Sequence, residues 1–267
     1  MKIHPTAVVE SKAEIGKNVE IGPHAYIGPE VTIGDDCIIG HGSHIEGRVT
    51  IGDNNIIGPQ AALGTPPQDL TYHGQSTELV IGDDNVIREF VTVNIGTVHG
   101  GGVTRIGNRN YLMICSHVGH DCRLEHDILL VNGVLLGGHC HVETGAKLMG
   151  AAACHQFVTV GKQAYVGGLS RIVQDVPPFM IVEGNPARVR GINEIGLQRA
   201  GYEEQVIDEL WEVYKAIYRT RELNRARIYE EIENNDDAHP EAIYLVEFLR
   251  RAQNGVHGRH LEGQKKH

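Results

Sequence analysis

IGKNVE IGPHAY IGPEVT IGDDCI IGHGSH IEGRVT IGDNNI, residues 15–56, is an unbroken run of seven hexads, each opening on Ile. Working outward, Ile, Val or Leu stands at 3, 9 and every sixth residue to 63, then at 81, 87 and 93. After a slip of one residue the beat resumes at 106 and runs to 172, broken only by Cys154. Twenty-five of the twenty-six hexads open on an aliphatic residue, and Gly follows directly in fourteen. An amphipathic helix repeats every 3.6 residues and a half-buried strand every 2, so neither yields sixes. A sixfold beat with turn residues between short β-branched runs marks a parallel β-helix. Three hexads close one triangular coil, which gives about nine coils at ~4.8 Å each and a column of roughly 40–45 Å.

Composition fits that architecture. Aromatic residues make up only 5% of the 267 residues, which suits a solenoid that stacks Ile, Val and Leu on themselves. The net charge of −10 argues against a nucleic-acid surface, which needs a basic stripe. Residues 1–185 hold 11 Lys+Arg against 19 Asp+Glu, and residues 186–267 hold 13 against 15. The arginine-rich second part therefore offers local docking points for an acidic partner: Arg219, Arg221, Arg225, Arg227, Arg250 and Arg251. No apolar run approaches eighteen residues, so no membrane span is expected. The opening MKIHPTAVVE enters the beat at Ile3 without a signal-peptide block, which predicts a cytoplasmic protein. Cys37, Cys122 and Cys140 each sit four residues after a hexad aliphatic, and Cys154 replaces one; these read as small apolar core residues.

The expected organisation is a β-helix over 1–185 with two surface loops, then a helical domain over 186–267. Residues 64–80 (GTPPQDLTYHGQSTELV) and 94–105 (NIGTVHGGGVTR) interrupt the beat, and solenoids place such insertions beside their binding sites. The hexads stop at QDVPPF. Ile207, Leu210, Trp211, Tyr214, Ile217 and Tyr218 then follow helical spacing, with further helices expected near 226–233 and after Pro240. Trp211 reads as core. From Asn254 onward apolar periodicity is lost, which predicts a frayed tail.

Residues eighteen apart stack on successive coils. The hexads opening at 118, 136 and 154 therefore share one face, carrying His120, Asp121, Gly138, His139, His141, His155 and Gln156, with His117 just before it. His120 falls beneath Gly138, and Asp121 beneath His139. Imidazole suits general-base work near neutral pH. A neighbouring carboxylate fixes its tautomer, and a Gly138 N–H unshielded by a side chain is fit to receive an oxyanion. Metal binding is the rival reading, with His117, His120 and His139 or His155 as ligands. No protease-like nucleophile stands out, and GTVHGGG lacks the strand–loop–helix setting of a phosphate loop.

Several longer motifs then carry a resemblance: PPQDL at 66–70, GTVHGGG at 96–102, SHVGHDC at 116–122, HQF at 155–157, QDVPPF at 174–179 and GIN at 191–193. Together they resemble the UDP-N-acetylglucosamine O-acyltransferase family of lipid A biosynthesis, over nearly the whole chain. The resemblance implies left-handed coils and a cytoplasmic homotrimer with active sites between prisms. It implies transfer of a 3-hydroxyacyl chain from acyl carrier protein to the 3-position of UDP-N-acetylglucosamine, with no cofactor and no metal. His120 is then the general base, Asp121 its orienting partner and Gly138 the oxyanion donor. His117, His139, His155, Gln156, Gln68, Asp69, Asn193 and Arg199 match substrate contacts, and Gly168 matches the position that limits acyl length. Asn94 stands where many members have His, Thr71 where many have Lys, and Ala200 where Arg is frequent. These departures leave a 3-amino sugar open as the acceptor. A trimeric zinc-dependent hydratase and a non-catalytic β-helix are the readings from other classes.

Overall fold

A computed structural model describes residues 2–220 and 225–264. Among the described residues, three sheets of eleven, nine and eight short strands wrap into a prism; up to the end of the first sheet the strands are parallel and each pairs with the one three places on in sequence. Lys2 lies against Glu20 and Ile3 against Ile21, the eighteen-residue coil expected from the hexads. Each coil turns one aliphatic per hexad inward: Ile27, Ile45, Leu63, Val93, Val118 and Leu136 in one column are all fully enclosed. Apolar burial of this kind supplies about 25 cal/mol per Å². The hexad cysteines join the same core. Burial pushes the Cys154 thiol up to about 12 and raises Cys122 well above its usual range.

At the edges of the prism the backbone turns through the left-handed region. Asn18, Asp36 and Asn54 take it on one edge, and Asp121, His139 and Phe157, at φ of +59°, +61° and +66°, on another. Asn and Asp visit this region more readily than most residues. Phe does not, so Phe157 is held there by its surroundings.

Both loops leave the prism at the second of these edges. The first joins strands Ala62–Thr65 and Glu78–Ile81; the second joins Thr92–Asn94 and Val103–Ile106 and contains a short 3-10 turn, Val98–Gly100. They stretch the coil repeat to thirty residues (Ile57 against Ile87) and then twenty-five (Ile87 against Leu112). Asn94 staples the first loop. Its Nδ2 donates to Thr65 Oγ1 at 2.9 Å and to the Pro66 carbonyl at 3.0 Å.

The eleven-stranded sheet ends in an antiparallel hairpin, Met180–Gly184 with Ala187–Ile192. Among the described residues four helices follow: α1 (Glu194–Arg199), α2 (Glu204–Tyr218), α3 (Arg225–Glu233) and α4 (Pro240–Asn254). The apolar face expected around Ile207, Leu210, Tyr214 and Ile217 is buried. Trp211 lies against Gly191 and donates to Glu194 at 3.1 Å. The segment after α4 departs from the expected frayed tail. It folds back on the last coil, where buried Asp175 accepts from the Thr159 amide at 2.8 Å and the His260 amide at 2.9 Å. Arg259 reaches the Val173 carbonyl at 2.6 Å. These anchors are polar, so no apolar rhythm announces them. Among the described residues no helix is long and apolar enough to cross a membrane.

Candidate active site

His120 and Asp121 occupy the edge from which both loops spring, one coil above the second loop. His120 Nδ1 lies 2.7 Å from Asp121 Oδ2, with the Asp121 side chain wholly enclosed and that of His120 13% exposed. Asp121 is held from behind. The Thr97 amide donates to Oδ1 at 2.7 Å, the Thr97 hydroxyl donates to Oδ2 at 2.7 Å, and the Asp121 amide donates to Thr104 Oγ1 at 2.8 Å. Gly100 lies so close to the carboxylate that a side chain there would strike it. Donors on this many sides fix the carboxylate's position against the His120 ring. Asp121 Oδ2 accepts from the Nδ1–H of His120, the tautomer that leaves the lone pair on Nε2, as a general base requires.

The next coil covers the imidazole with Gly138. A Cβ built there would sit 2.5 Å from His120 Cε1 and 2.6 Å from Nε2, so only glycine leaves room for the ring. On the first edge the equivalent amides of Lys17, Asp35, Asp53, Asp83 and Asn108 are each taken by the side chain one coil on. Among the described residues the Gly138 amide has no such partner, and the residue one coil on is exposed Gln156. A donor left open beside a base is fit to meet developing negative charge.

His139 completes the cluster. Its ring stands edge-on to His120, centroids 5.0 Å apart, and stacks on Phe157 at 4.3 Å and 6°. Its Nε2 lies 3.7 Å from Asp121 Oδ2. The ligand atoms of His120, Asp121 and His139 fall within 4.8 Å of one another. The three-imidazole set weighed from sequence does not form: His117 is bonded to Thr92 Oγ1 at 2.7 Å, and His155 lies exposed beside its neighbour's carbonyl. Burial holds the His117 imidazole below its usual range, and the nearby charge of His120 adds to this.

The other sequence candidates fall into two groups. Asp69 of the first loop feels this site. Hydrogen bonds from the Thr71 amide and hydroxyl, both at 2.8 Å, hold its carboxyl below the usual range, and the charges of His120 and His139 lower it further. Gln68 is exposed beside it. Gly168, Asn193 and Arg199 lie elsewhere in the chain. Gly168 stands on a different edge, against the Gly150 carbonyl. Asn193 is buried and donates to the Gln163 carbonyl at 2.9 Å, and Arg199 ends α1, exposed. The hairpin before them is four strand steps beyond the coil of His120, about 19 Å along the prism. Thr97 was not singled out from sequence; the GTVHGGG run that contains it was.

The chain can be compared with known proteins on this footing. The family model described as "Udp N-acetylglucosamine O-acyltransferase; Domain 2" matches residues 175–257, and the bacterial transferase hexapeptide model matches 30–65. An acyl-[acyl-carrier-protein]–UDP-N-acetylglucosamine O-acyltransferase from Anaeromyxobacter sp. (strain Fw109-5) is 43% identical over 256 residues, 96% of this chain and 99% of that protein. One from Sinorhizobium fredii is 44% identical over 248 residues, 93% and 92% of the two chains. The solved UDP-N-acetylglucosamine acyltransferase from Bacteroides fragilis superposes with a TM-score of 0.88 at 36% identity, covering 92% of this chain and 96% of that one. The one from Campylobacter jejuni gives 0.88 at 34%, covering 93% and 96%. The expected left-handed parallel β-helix with a small helical C-terminal part is therefore the fold of this chain. The chain belongs to the UDP-N-acetylglucosamine O-acyltransferase family.

Proposed function

We propose that this chain transfers a 3-hydroxyacyl group from acyl carrier protein to the 3-hydroxyl of UDP-N-acetylglucosamine, in the cytoplasm, as a step of lipid A biosynthesis. The carrying observation is the pair of His120 and Asp121 at 2.7 Å, buried beneath Gly138 in a chain 43% identical to an enzyme of that name. His120 Nε2 takes the 3-OH proton as that oxygen attacks the thioester carbonyl. Asp121 stabilises the imidazolium, and the Gly138 N–H supports the tetrahedral oxyanion. The imidazolium then protonates the departing phosphopantetheine thiol. Base and donor suffice because the thioester is already activated. The relatives' names specify oxygen, which supports a hydroxyl acceptor over the amine and over the hydratase.

His117, His139, His155, Gln156, Gln68 and Asp69 surround the sugar in this reading. Gly168 ends the acyl track, with the outward face of the second sheet, Leu135 and Ala153, lying between the two edges. Asn193 and Arg199 serve the nucleotide from a neighbouring copy, since about 19 Å of prism separates them from His120 in one chain. A homotrimer is supported by the first sheet's outward column of Ile38, Ile56, Val86, Tyr111 and Leu129, which is apolar over five coils. Functionally the division stays at 1–185 and 186–267, the first part for chemistry and the second for nucleotide and carrier. Among the second part's arginines, Arg227 and Arg250 pair with Glu231 and Glu233, and Arg221 lies outside the described residues.

The test is His120→Ala assayed with 3-hydroxyacyl carrier protein and UDP-N-acetylglucosamine. Transfer should fall by ~10²–10⁴, the span of a general base, with the oligomer and melting temperature kept. Near-normal turnover in that variant refutes the assignment.

A further inference from the structure

We infer that the catalytic corner is also a binding site for a divalent transition-metal ion of the zinc class, and that the bound ion switches the enzyme off. The inhibition rests on the proposed role of His120; the binding does not.

Zinc takes nitrogen and carboxylate ligands at about 2.0–2.2 Å, so ligand atoms around a tetrahedral ion lie ~3.3 Å apart. Asp121 Oδ2 is 2.7 Å from His120 Nδ1 and 3.7 Å from His139 Nε2. Both separations reach the tetrahedral value with movements under ~1 Å. Two of the three ligands are fixed beforehand: Asp121 by Thr97 and Thr104, and the plane of His139 by its stack on Phe157. Residual exposure of His120 and His139, 13% and 20%, gives an entering ion and its fourth ligand, water, a path. Two imidazoles and one carboxylate form a donor set that zinc favours over magnesium or calcium.

The inhibition follows from proton accounting on one ring. Neutral His120 carries its proton on Nδ1, facing Asp121, and its lone pair on Nε2. An ion bound at Nδ1 takes the lone pair on that nitrogen, so the proton leaves Nδ1 and Nε2 becomes the protonated atom. The ring keeps one proton and remains neutral, but it has no lone pair left for the sugar hydroxyl. The ion also neutralises Asp121, which removes the carboxylate's support for the imidazolium.

The experiment titrates zinc into chelator-treated oligomer by calorimetry and follows cobalt binding by visible absorption, whose tetrahedral bands report the ligand geometry. One ion per chain is expected, with binding weakened at least a hundredfold in His139→Ala and in Asp121→Asn. His155→Ala, one coil away with its imidazole exposed, should bind as the parent does. Melting curves of each variant separate lost ligands from lost fold. Zinc bound at this stoichiometry should suppress acyl transfer, and chelator should restore it. Absent binding, or binding unchanged in His139→Ala and Asp121→Asn, overturns the site. Turnover that persists with zinc bound overturns the inhibition. A protein that binds zinc as described yet never transfers acyl groups refutes the acyltransferase reading and leaves the metal site standing.

Discussion

Thr97 does two things for Asp121 at once, since its amide and its hydroxyl each donate to a different carboxylate oxygen. Hydrogen bonds to a charged group are worth about 1.5–3 kcal/mol. Thr97→Val keeps the amide and loses the hydroxyl, so kcat should drop roughly ten- to a hundredfold with KM little changed. Thr97→Ser should recover most of the loss. A Thr97→Val enzyme with parental kcat would show that Asp121 needs no such support. His117 makes a prediction of a different kind. Burial keeps its folded pKa under the ordinary 6.5, so between those two values the unfolded chain binds more protons than the folded one. Stability is therefore whole above the unfolded value and drains away as pH falls through that window. Melting temperatures between pH 7.5 and 5 should fall less in His117→Gln than in the parent; equal falls would locate the acid sensitivity elsewhere.

Among the elements, the strands were legible from sequence because each coil repeats the same demand, an aliphatic inward every sixth residue. Stacking by eighteen likewise puts His120 beneath Gly138 and Asp121 beneath His139 from the sequence alone. It could not reach Thr97, which lies 24 residues from its partner because the second loop stretches that coil. Nor did periodicity reveal α1, six residues long and with only Leu197 buried. The docked tail escaped for the same reason, since its contacts with the last coil span 85 residues and are polar. Asp175→Ala tests that docking. It frees the Thr159 and His260 amides and should cost ~1–3 kcal/mol. Hydrogen exchange should quicken over 255–262 while α2 stays protected; an unchanged tail would mean that Arg259 and the backbone bond from the residue 175 amide to the Gly258 carbonyl suffice.

At the scale of the molecule, the apolar column on the first sheet bears on the proposed assembly. Ile38 and Ile56 are adjacent in the column and 45% and 44% exposed in the single chain. Apolar strips that long seldom stay bare in water. Ile56→Lys puts a charge within the column, so light scattering should report a shift from the proposed trimer toward monomer. Activity should fall in parallel, because the proposed nucleotide contacts, Asn193 and Arg199, would come from the neighbouring copy. A monomer with full activity would place the whole site within one chain. The threefold edge also restricts how this sequence can vary in length. Six extra residues between Asp121 and Gly138 would carry the glycine a third of a turn around the axis, away from the imidazole it covers. Insertions in this stretch are tolerable only as outgrowths from a vertex, like the two that already stand there, because even a whole extra coil would lift the glycine off the imidazole. Homologues that differ in size should carry their gaps at those vertices.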